Sequence, residues 1–281
     1  MLIFKIMSCI NKDYLYISLI GNKIALSRCC YINSYITLEP ADFFKLSLKD
    51  LCKLNYIIKP DMYCGEENCE IENIKNIVVS ISKACNFHCE KCPISQHSDS
   101  LYEKDLYFKV LNHISNFKLN SIELTRSGEP FYYWDEIINY LKTLNSKNIK
   151  QVFFTTNGSL LSKKRIIELY TIQNATNIKY IITVSIDGIN KKHYEKIRHF
   201  SFYKIIKIVK ILKKFFEVRI NYTYKKTNDV DIFSILTFFN RIGIRSKNIN
   251  IGVDTHYNSY SKEEEKEIIT KYKDVQRVCY F

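Results

Sequence analysis

The sequence predicts an α/β protein built from six strand–helix units. Three features of residues 76–281 lead to this fold class. Six short apolar runs begin 28–45 residues apart, which is about the length of one strand–helix unit. Amphipathic stretches with a helical period lie between the runs, and glycines follow the second, third and fourth runs. Either an open doubly wound sheet or a partial barrel would accommodate six such units.

The apolar runs are nearly continuous and rich in β-branched and aromatic residues, as expected of parallel strands that are buried on both faces. They are Ile77–Ile81, Ile122–Leu124, Val152–Phe154, Tyr180–Ile186, Val218–Tyr222 and Ile249–Val253. Apolar residues at helical spacing predict four of the helices that accompany these strands. The four stripes are Leu106, Val110, Ile114 and Phe117; Trp134, Ile138, Leu141 and Leu144; Ile205, Ile208, Val209 and Leu212; and Phe233, Leu236 and Phe239.

The glycines Gly128, Gly158 and Gly188 each follow the end of a predicted strand, in SGEP, TTNG and SIDG. In parallel α/β folds the carboxyl ends of the strands form the ligand site. Glycine also suits plain strand-to-helix turns, so each position alone is weak support for a ligand loop. Three such glycines at the same edge of the sheet favour a ligand site at that edge.

Residues 1–75 do not share this pattern. Tyr14–Ile20 and Lys23–Leu26 flank Gly21-Asn22, which predicts a β-hairpin, and a helical stretch around Phe43–Leu54 follows. We therefore predict three parts: a small cysteine-containing α+β module at 1–75, the strand–helix domain at 76–255, and a C-terminal helical extension at 256–281.

The chain has a net charge of +13, from 42 basic and 29 acidic residues. Residues 1–75 carry nine of each and are neutral, whereas residues 191–226 carry twelve basic and two acidic residues. Lys204, Lys207, Lys210 and Lys214 lie opposite the apolar stripe of one predicted helix. This pattern is typical of a solvated outer helix, so the charge alone does not indicate a nucleic-acid partner.

Ten cysteines are the second unusual feature of the composition. No apolar stretch is long enough to span a membrane, and the N-terminal residues do not resemble a signal peptide. We therefore expect a cytoplasmic protein without a membrane partner. Clustered cysteines in such a chain more often bind metal or take part in redox chemistry than form disulfides.

Cys85, Cys89 and Cys92 lie in KACNFHCEKCP, directly after the first predicted strand of the α/β domain. Three thiolates leave a tetrahedral zinc site one ligand short, so zinc would need His88 or another segment. A 4Fe–4S cluster can instead take three cysteines and keep one iron open for a ligand. The spacing alone leaves both metals open.

With SGEP, TNG and SIDG after the next three strands, CNFHCEKC resembles the radical SAM superfamily, over residues 76–255. The branch it resembles most has SPASM or twitch auxiliary-cluster domains. The resemblance implies a partial (β/α)6 TIM-type barrel, which selects one of the two architectures left open above.

The resemblance also implies a function for individual residues. Cys85, Cys89 and Cys92 would ligate a 4Fe–4S cluster whose open iron binds S-adenosylmethionine (SAM). One electron from the cluster would then cleave SAM and release a 5′-deoxyadenosyl radical that abstracts hydrogen from a substrate. By the same resemblance, Gly128 and Glu129 would contact the ammonium group of the methionyl part of SAM. A carboxylate is a suitable partner for an ammonium group.

Further family positions follow the same strand ends. Asn157, Ser185 and Asp187 would touch the ribose or carboxylate of SAM, and Arg198 would pair with the SAM carboxylate. Phe87 would shield the cluster. Each of three residues has an alternative role. Asp187 would only start a turn, Arg198 would lie on a solvated helix, and Phe87 would anchor a loop. The sequence departs from the family at Lys91, where an aromatic residue near adenine is common.

The order of cysteines and hairpin in residues 1–75 resembles that of the auxiliary-cluster domains in the SPASM and twitch branch. The resemblance implies a second 4Fe–4S cluster here, although the module normally follows the barrel; zinc and plain buried thiols are the alternatives. The cysteines concerned are Cys9, Cys29, Cys30, Cys64 and Cys69.

The favoured function is a radical SAM oxidoreductase or modifying enzyme acting on a peptide or protein side chain or a small molecule. Flavodoxin or ferredoxin is the expected electron donor. The alternatives are an RNA-modifying radical SAM enzyme and a non-enzymatic zinc or iron–sulfur protein. No residue stands out in the sequence as a general base.

Overall fold

The computed structural model describes residues 14–27, 35–57, 74–89, 92, 99–124, 128–224, 231–253 and 278–280. Within these ranges the chain forms ten strands, eight α-helices and a short 3-10 helix at Ser246–Asn248. The strands are β1 (Tyr14–Ile20), β2 (Lys23–Ser27), β3 (Tyr35–Leu38), β4 (Asn76–Ser80), β5 (Leu119–Leu124), β6 (Ile149–Thr156), β7 (Lys179–Ser185), β8 (Glu217–Tyr224), β9 (Ile249–Val253) and β10 (Val278–Tyr280). The helices are α1 (Pro40–Phe43), α2 (Leu48–Ile57), α3 (Leu101–Ile114), α4 (Trp134–Thr143), α5 (Lys163–Thr176), α6 (Lys191–Arg198), α7 (Phe202–Leu212) and α8 (Ile232–Arg241).

The chain divides into two compact units. The first unit comprises residues 1–86, 94–155 and 168–180, and the second unit comprises residues 87–93, 156–167 and 181–281. In the first unit the strand order is β3-β2-β1-β4-β5-β6. The β3-β2-β1 part is antiparallel, and β1, β4, β5 and β6 are parallel neighbours.

The core of the first unit is built from the strands β4, β5 and β6 and the helices α3 and α4. Ile77, Ile122 and Val152 are fully buried on these strands. The Phe131 and Phe154 rings stack with centroids 5.1 Å apart, and Phe154 also meets the edge of Tyr180. Burial of these large rings adds to the hydrophobic stabilisation that the buried aliphatic side chains provide.

In the second unit the strands β7, β8, β9 and β10 are parallel neighbours in that order. Helix α7 buries Ile205, Val209 and Leu212, and helix α8 buries Ile235 and Phe239. The carboxyl ends of β7 and β8 are tied together, because the Ile186 amide donates to the Asn221 carbonyl over 2.8 Å. These ends position the polar side chains described below.

The predicted α/β class is confirmed, and each of the six predicted strands is present. The hairpin around Gly21-Asn22 is also confirmed, with Leu19 opposite Ile24. The structure adds that β1 pairs in parallel with β4, so that the hairpin and the parallel strands share one sheet. The domain boundary at residue 75 stays a prediction.

The predicted apolar stripe of α8 was wrong at its first position. Phe233 is 70% exposed, and the buried side chains are Ile232, Ile235 and Phe239. The helical extension predicted for 256–281 lies outside the described residues except at Val278–Tyr280, which is the strand β10. In the described ranges, none of the helices combines the length and the apolar composition that crossing a bilayer requires.

Candidate functional site

The cysteine segment follows β4 directly. Cys85, Cys89 and Cys92 are all half-buried and free of disulfides. The Cys92 amide donates to the Cys89 carbonyl over 3.2 Å, which closes a turn between these two cysteines. Cys85 belongs to the first unit, and Cys89 and Cys92 belong to the second. Residues 90, 91 and 93–98, among them Lys91, lie outside the described part of the chain.

The Gly128-Glu129 pair contacts the residues that precede Cys85. The Glu129 amide donates to the carbonyl of Ala84 over 2.7 Å. Gly128 has a φ of +77°, and a Cβ there would lie 2.5 Å from the Ala84 oxygen and 2.8 Å from the Ser82 oxygen. Only glycine satisfies both requirements, because other residues rarely adopt this φ and all of them carry a Cβ. The Gly128-Glu129 pair and the start of the cysteine segment, more than 40 residues apart in the sequence, are therefore adjacent.

The Glu129 carboxylate is itself buried, with 4% of the residue exposed. Its Oε1 accepts a hydrogen bond from the Phe131 amide over 3.2 Å. A buried carboxylate is costly without donors and suits a cationic partner such as an ammonium group.

Asp187 follows the end of β7 and is 5% exposed. Its Oδ2 accepts from Arg198 Nε over 2.5 Å and also pairs with Arg198 Nη2. Its Oδ1 accepts from the Thr223 amide at the end of β8 over 2.9 Å. Both carboxylate oxygens therefore have protein partners. Ser185, two residues before Asp187, is the last residue of β7 and is half-buried.

Arg198 is the last residue of α6, and its third nitrogen faces the cysteine segment. Arg198 Nη1 lies 3.6 Å from Cys89 Sγ. Burial raises the pKa of the Cys89 thiol, and the positive charge of Arg198 opposes that rise. Burial would lower the pKa of Arg198, but Asp187 and its other neighbours together outweigh burial and raise this pKa, so the guanidinium keeps its charge.

Two of the predicted cofactor contacts, Asn157 and Phe87, have partners within the protein. Asn157 is buried, and its Oδ1 accepts from the amide and the hydroxyl of Ser159 over 2.9 and 2.7 Å. This geometry is an Asx turn that shapes the loop after β6. The Phe87 ring is buried and packs on Phe200, with centroids 5.4 Å apart.

Sequence reasoning missed Tyr194, which is completely buried on α6. Its hydroxyl has no hydrogen-bond partner among the described residues. Burial raises the pKa of this phenol, while the positive charge of Arg198 opposes the rise. Tyr194 precedes Arg198 by four residues and so shares its face of the helix, which is a signal that the sequence does contain.

The structure thus brings together Cys89, Asp187 and Arg198 in the second unit, and Gly128 and Glu129 with Ala84 in the first. The cysteines predicted for an auxiliary site lie outside the described residues. They are Cys9, Cys29, Cys30, Cys64 and Cys69. Among the residues that are described, no three histidine, cysteine or acidic side chains are grouped to hold a metal ion.

Comparison with known proteins identifies the class of protein that this fold and site define. Residues 79–239 match the family model of the Radical SAM superfamily, and the chain belongs to this superfamily. Membership implies a 4Fe–4S cluster and SAM as cofactors.

Similar individual proteins come from two comparisons. A probable GTP 3′,8-cyclase of Methanococcus aeolicus is 29% identical over 129 residues, or 44% of this chain. The match spans 41% of that protein, less than half of its length.

The other comparison is structural. Streptococcus suis SuiB bound to SAM has a TM-score of 0.51 at 19% identity, over 73% of this chain and 49% of that chain. SuiB bound to the precursor peptide SuiA has a TM-score of 0.52 at 17% identity, over 97% of this chain and 72% of that chain. At these identities the likeness shows the fold, which is consistent with the predicted partial barrel.

The kind and number of donors in the cysteine segment fit an iron–sulfur cluster, although the three thiols are not grouped around one point in this structure. Three free thiols within eight residues supply the ligands that such clusters take from proteins. The guanidinium beside Cys89 Sγ provides a charge-assisted donor of the kind that surrounds anionic thiolates.

Proposed function

We propose that the protein is a SAM-cleaving enzyme with Cys85, Cys89 and Cys92 as its cluster ligands. The observation that carries this proposal is the 2.7 Å hydrogen bond between the Glu129 amide and the Ala84 carbonyl. It fixes the predicted SAM-binding element directly beside the residue that precedes the first cysteine. The order of motifs along the chain would not by itself bring these two elements together.

When bound, the cluster and SAM supply reductive cleavage of the sulfonium and hydrogen abstraction from a substrate. The chain's own residues bind and orient these groups. The buried Glu129 carboxylate would accept a hydrogen bond from the amino group of SAM, where few competing water molecules reach it. Phe87, within the cysteine segment, is buried and packs on Phe200, and these apolar rings would help to keep water away from the bound groups.

For the substrate, we propose a peptide or protein side chain that is oxidised or otherwise modified. The structural likeness to SuiB bound to its precursor peptide, which extends over 97% of this chain, supports this class. The similarity to a probable GTP cyclase supports a small molecule instead, over a shorter part of the chain. Flavodoxin or ferredoxin is the proposed source of the electron.

The SPASM or twitch character of residues 1–75 is a further part of the proposal. It rests on Cys9, Cys29, Cys30, Cys64 and Cys69 and on the confirmed hairpin between them. A second 4Fe–4S cluster would leave about four iron atoms per chain after the first cluster is removed. Replacing Cys85, Cys89 and Cys92 with alanine and counting iron after reconstitution tests this; complete loss of iron contradicts it.

The SAM-cleaving activity is tested by anaerobic reconstitution with iron and sulfide, reduction with dithionite, and quantification of 5′-deoxyadenosine formed from SAM. We expect product from the wild type and none from the triple alanine variant. Cys52→Ala is the matched control, since Cys52 is a half-buried thiol on α2 that accepts from the Ile74 amide. Undiminished product from the triple variant, or zinc as the metal in the wild type, overturns the proposal.

The substrate class is tested by adding candidates to the reduced enzyme and measuring 5′-deoxyadenosine above the uncoupled level. The candidates are short peptides encoded beside its gene, GTP, and bulk tRNA. Stimulation by a peptide, with a mass change in that peptide, supports the proposal. Stimulation by GTP or tRNA alone contradicts it and favours the small-molecule or RNA alternative.

A further inference from the structure

Arg198 contacts Asp187 and Cys89 in this structure, and these contacts point to a role besides the one implied by the family resemblance. We infer that Arg198 donates to the sulfur of a cluster-ligating cysteine, Cys89, and that Asp187 is a positioning residue that orients Arg198 for this contact. The inference rests on the proposed function, because it takes Cys89 as a cluster ligand. It concerns the reduction potential of the cluster and does not depend on SAM.

The geometry of the guanidinium supports this role. Its Nε and Nη2 both face Oδ2 of Asp187, with Nε at 2.5 Å. A guanidinium is planar, so fixing these two nitrogens also fixes the direction of the third. That third nitrogen, Nη1, lies 3.6 Å from Cys89 Sγ, a hydrogen-bond distance for sulfur.

Asp187 is in turn held from the other side. Its Oδ1 accepts from the Thr223 amide over 2.9 Å, and the residue is 5% exposed. The backbone of β8 therefore fixes the carboxylate, and the carboxylate fixes the guanidinium. A chain of this kind resembles the outer partners that orient metal ligands in proteins.

Helix α6, which carries Arg198, is held close to the same segment. A Cβ at Gly188 would lie 2.5 Å from the amide nitrogen of Tyr194, so the turn before α6 packs against the helix backbone. At the other end of α6, Phe200 packs on Phe87 of the cysteine segment. Contacts at both ends thus restrict the freedom of the helix that places Arg198.

The electrostatic consequence follows from the sign of the charge. Reduction adds an electron to a cluster and makes the sulfurs of its ligands more negative. A positively charged donor on such a sulfur stabilises the reduced form and raises the reduction potential. The structure therefore assigns Arg198 to raising the potential of the cluster.

The test measures the midpoint potential of the reconstituted cluster without SAM, by titration monitored with electron paramagnetic resonance. Arg198→Gln removes the charge at Cys89, so we expect a lower midpoint potential. Arg219→Gln is the matched control, because Arg219 also pairs with a carboxylate in the second unit, Glu217. We expect that variant to keep the wild-type potential.

Asp187→Asn separates positioning from simple electrostatics. The amide oxygen can still accept from the Thr223 amide, but the side chain no longer attracts the guanidinium. If Asp187 positions Arg198, its loss lowers the midpoint potential even though a negative charge has been removed. If Asp187 acts only through its own charge, the same substitution raises the potential and overturns its positioning role.

The remaining outcomes are also decisive. Arg198→Lys keeps the charge but cannot reach Asp187 and Cys89 through one rigid plane, so we expect a potential between those of the wild type and Arg198→Gln. Unchanged potentials in variants that do assemble the cluster refute the inference alone. Failure of the wild type to assemble a cluster refutes the proposed function instead.

Discussion

At the scale of single residues, Gly128 has the strictest requirement of the residues that we assign to the SAM site. Its φ of +77° costs any other residue about 1–2 kcal/mol. Overlap of a Cβ with the Ala84 and Ser82 oxygens adds about 1–3 kcal/mol. We therefore expect Gly128→Ala to lower the free energy of unfolding of the apoprotein by the sum of these amounts, measured by urea denaturation.

Gly21→Ala separates the two contributions. Gly21 also has a positive φ, of +58°, but a Cβ there would meet no atom within 4 Å. We expect Gly21→Ala to lose only the conformational contribution. Equal losses in the two variants would show that the overlap at Gly128 relaxes without cost.

For single residues, the sequence predicted which side chains follow the strand ends, but not their hydrogen-bond partners within the protein. The contact of Asn157 with SAM stays a prediction, and the structure adds that its Oδ1 closes a turn with Ser159. The contact of Arg198 with the SAM carboxylate likewise stays a prediction, and the structure adds that its Nε and Nη2 pair with Asp187. A motif fixes residue types and spacing, whereas a partner depends on how separate strand ends meet in space.

At the scale of elements, the start of α6 gives a testable link between helix stability and the site. Asn190 is the N-cap, and its Oδ1 accepts from the His193 amide over 2.9 Å. Asn190→Ala should cost about 1 kcal/mol and loosen the helix that ends at Arg198. We therefore expect a lower free energy of unfolding together with a lower midpoint potential of the cluster.

The control for this prediction is the equivalent cap of α8. Asp231 accepts from the Ser234 amide over 2.9 Å, also within the second unit. Asp231→Ala should cost a similar amount of stability and leave the midpoint potential unchanged. A shift in both variants would show that the potential follows general stability and not α6.

A second element-scale prediction concerns pH and helix α3. His113 packs against Phe43, Phe44 and Phe117, and its Nε2 is 3.1 Å from the Leu46 carbonyl oxygen. Burial lowers the pKa of His113, and the Leu46 carbonyl opposes this only in part. Protonation therefore favours the unfolded chain, and stability is lost as the pH falls through the ordinary value of about 6.5.

His113→Gln removes this titration while keeping a donor for the Leu46 carbonyl. We expect the difference in unfolding free energy between about pH 7.5 and about pH 5.5 to be smaller in the variant than in the wild type. Urea denaturation at the two pH values provides the measurement. An equal difference in both proteins would mean that other groups account for the whole acid sensitivity.

The elements themselves were largely predictable. Buried parallel strands need continuous β-branched and aromatic runs, and all six runs are strands. The phase of α8 was not predictable, because Ile232 and Phe233 each lie on a helical stripe that includes Phe239. Only the packing partner decides which stripe is buried. The pairing of β1 with β4 was missed for the same reason, since periodicity does not name a strand's neighbours.

At the scale of the whole molecule, residues 191–226 carry twelve basic and two acidic residues of a chain whose net charge is +13, and helix α7 lies within this stretch. Helix α7, which buries Ile205, Val209 and Leu212, exposes three lysines, and the turn that follows it exposes a fourth. These are Lys204, Lys207, Lys210 and Lys214, which we call the α7 lysine face. The predicted solvated face of this helix is therefore confirmed.

Neutralising the α7 lysine face decides between solvation and RNA recognition. If the face is only solvated, replacing its four lysines with glutamine should change the free energy of unfolding by no more than about 0.5 kcal/mol per residue. SAM cleavage, measured as 5′-deoxyadenosine, should be unchanged, and weak tRNA binding at low salt should fall in proportion to the charge removed.

A control variant replaces four exposed lysines of the first unit, Lys109, Lys118, Lys142 and Lys147. Equal loss of tRNA binding in both variants means that the binding follows net charge. Loss confined to the α7 variant, together with loss of tRNA-stimulated cleavage, would contradict the peptide proposal, because net charge alone cannot distinguish two variants that lose the same number of lysines.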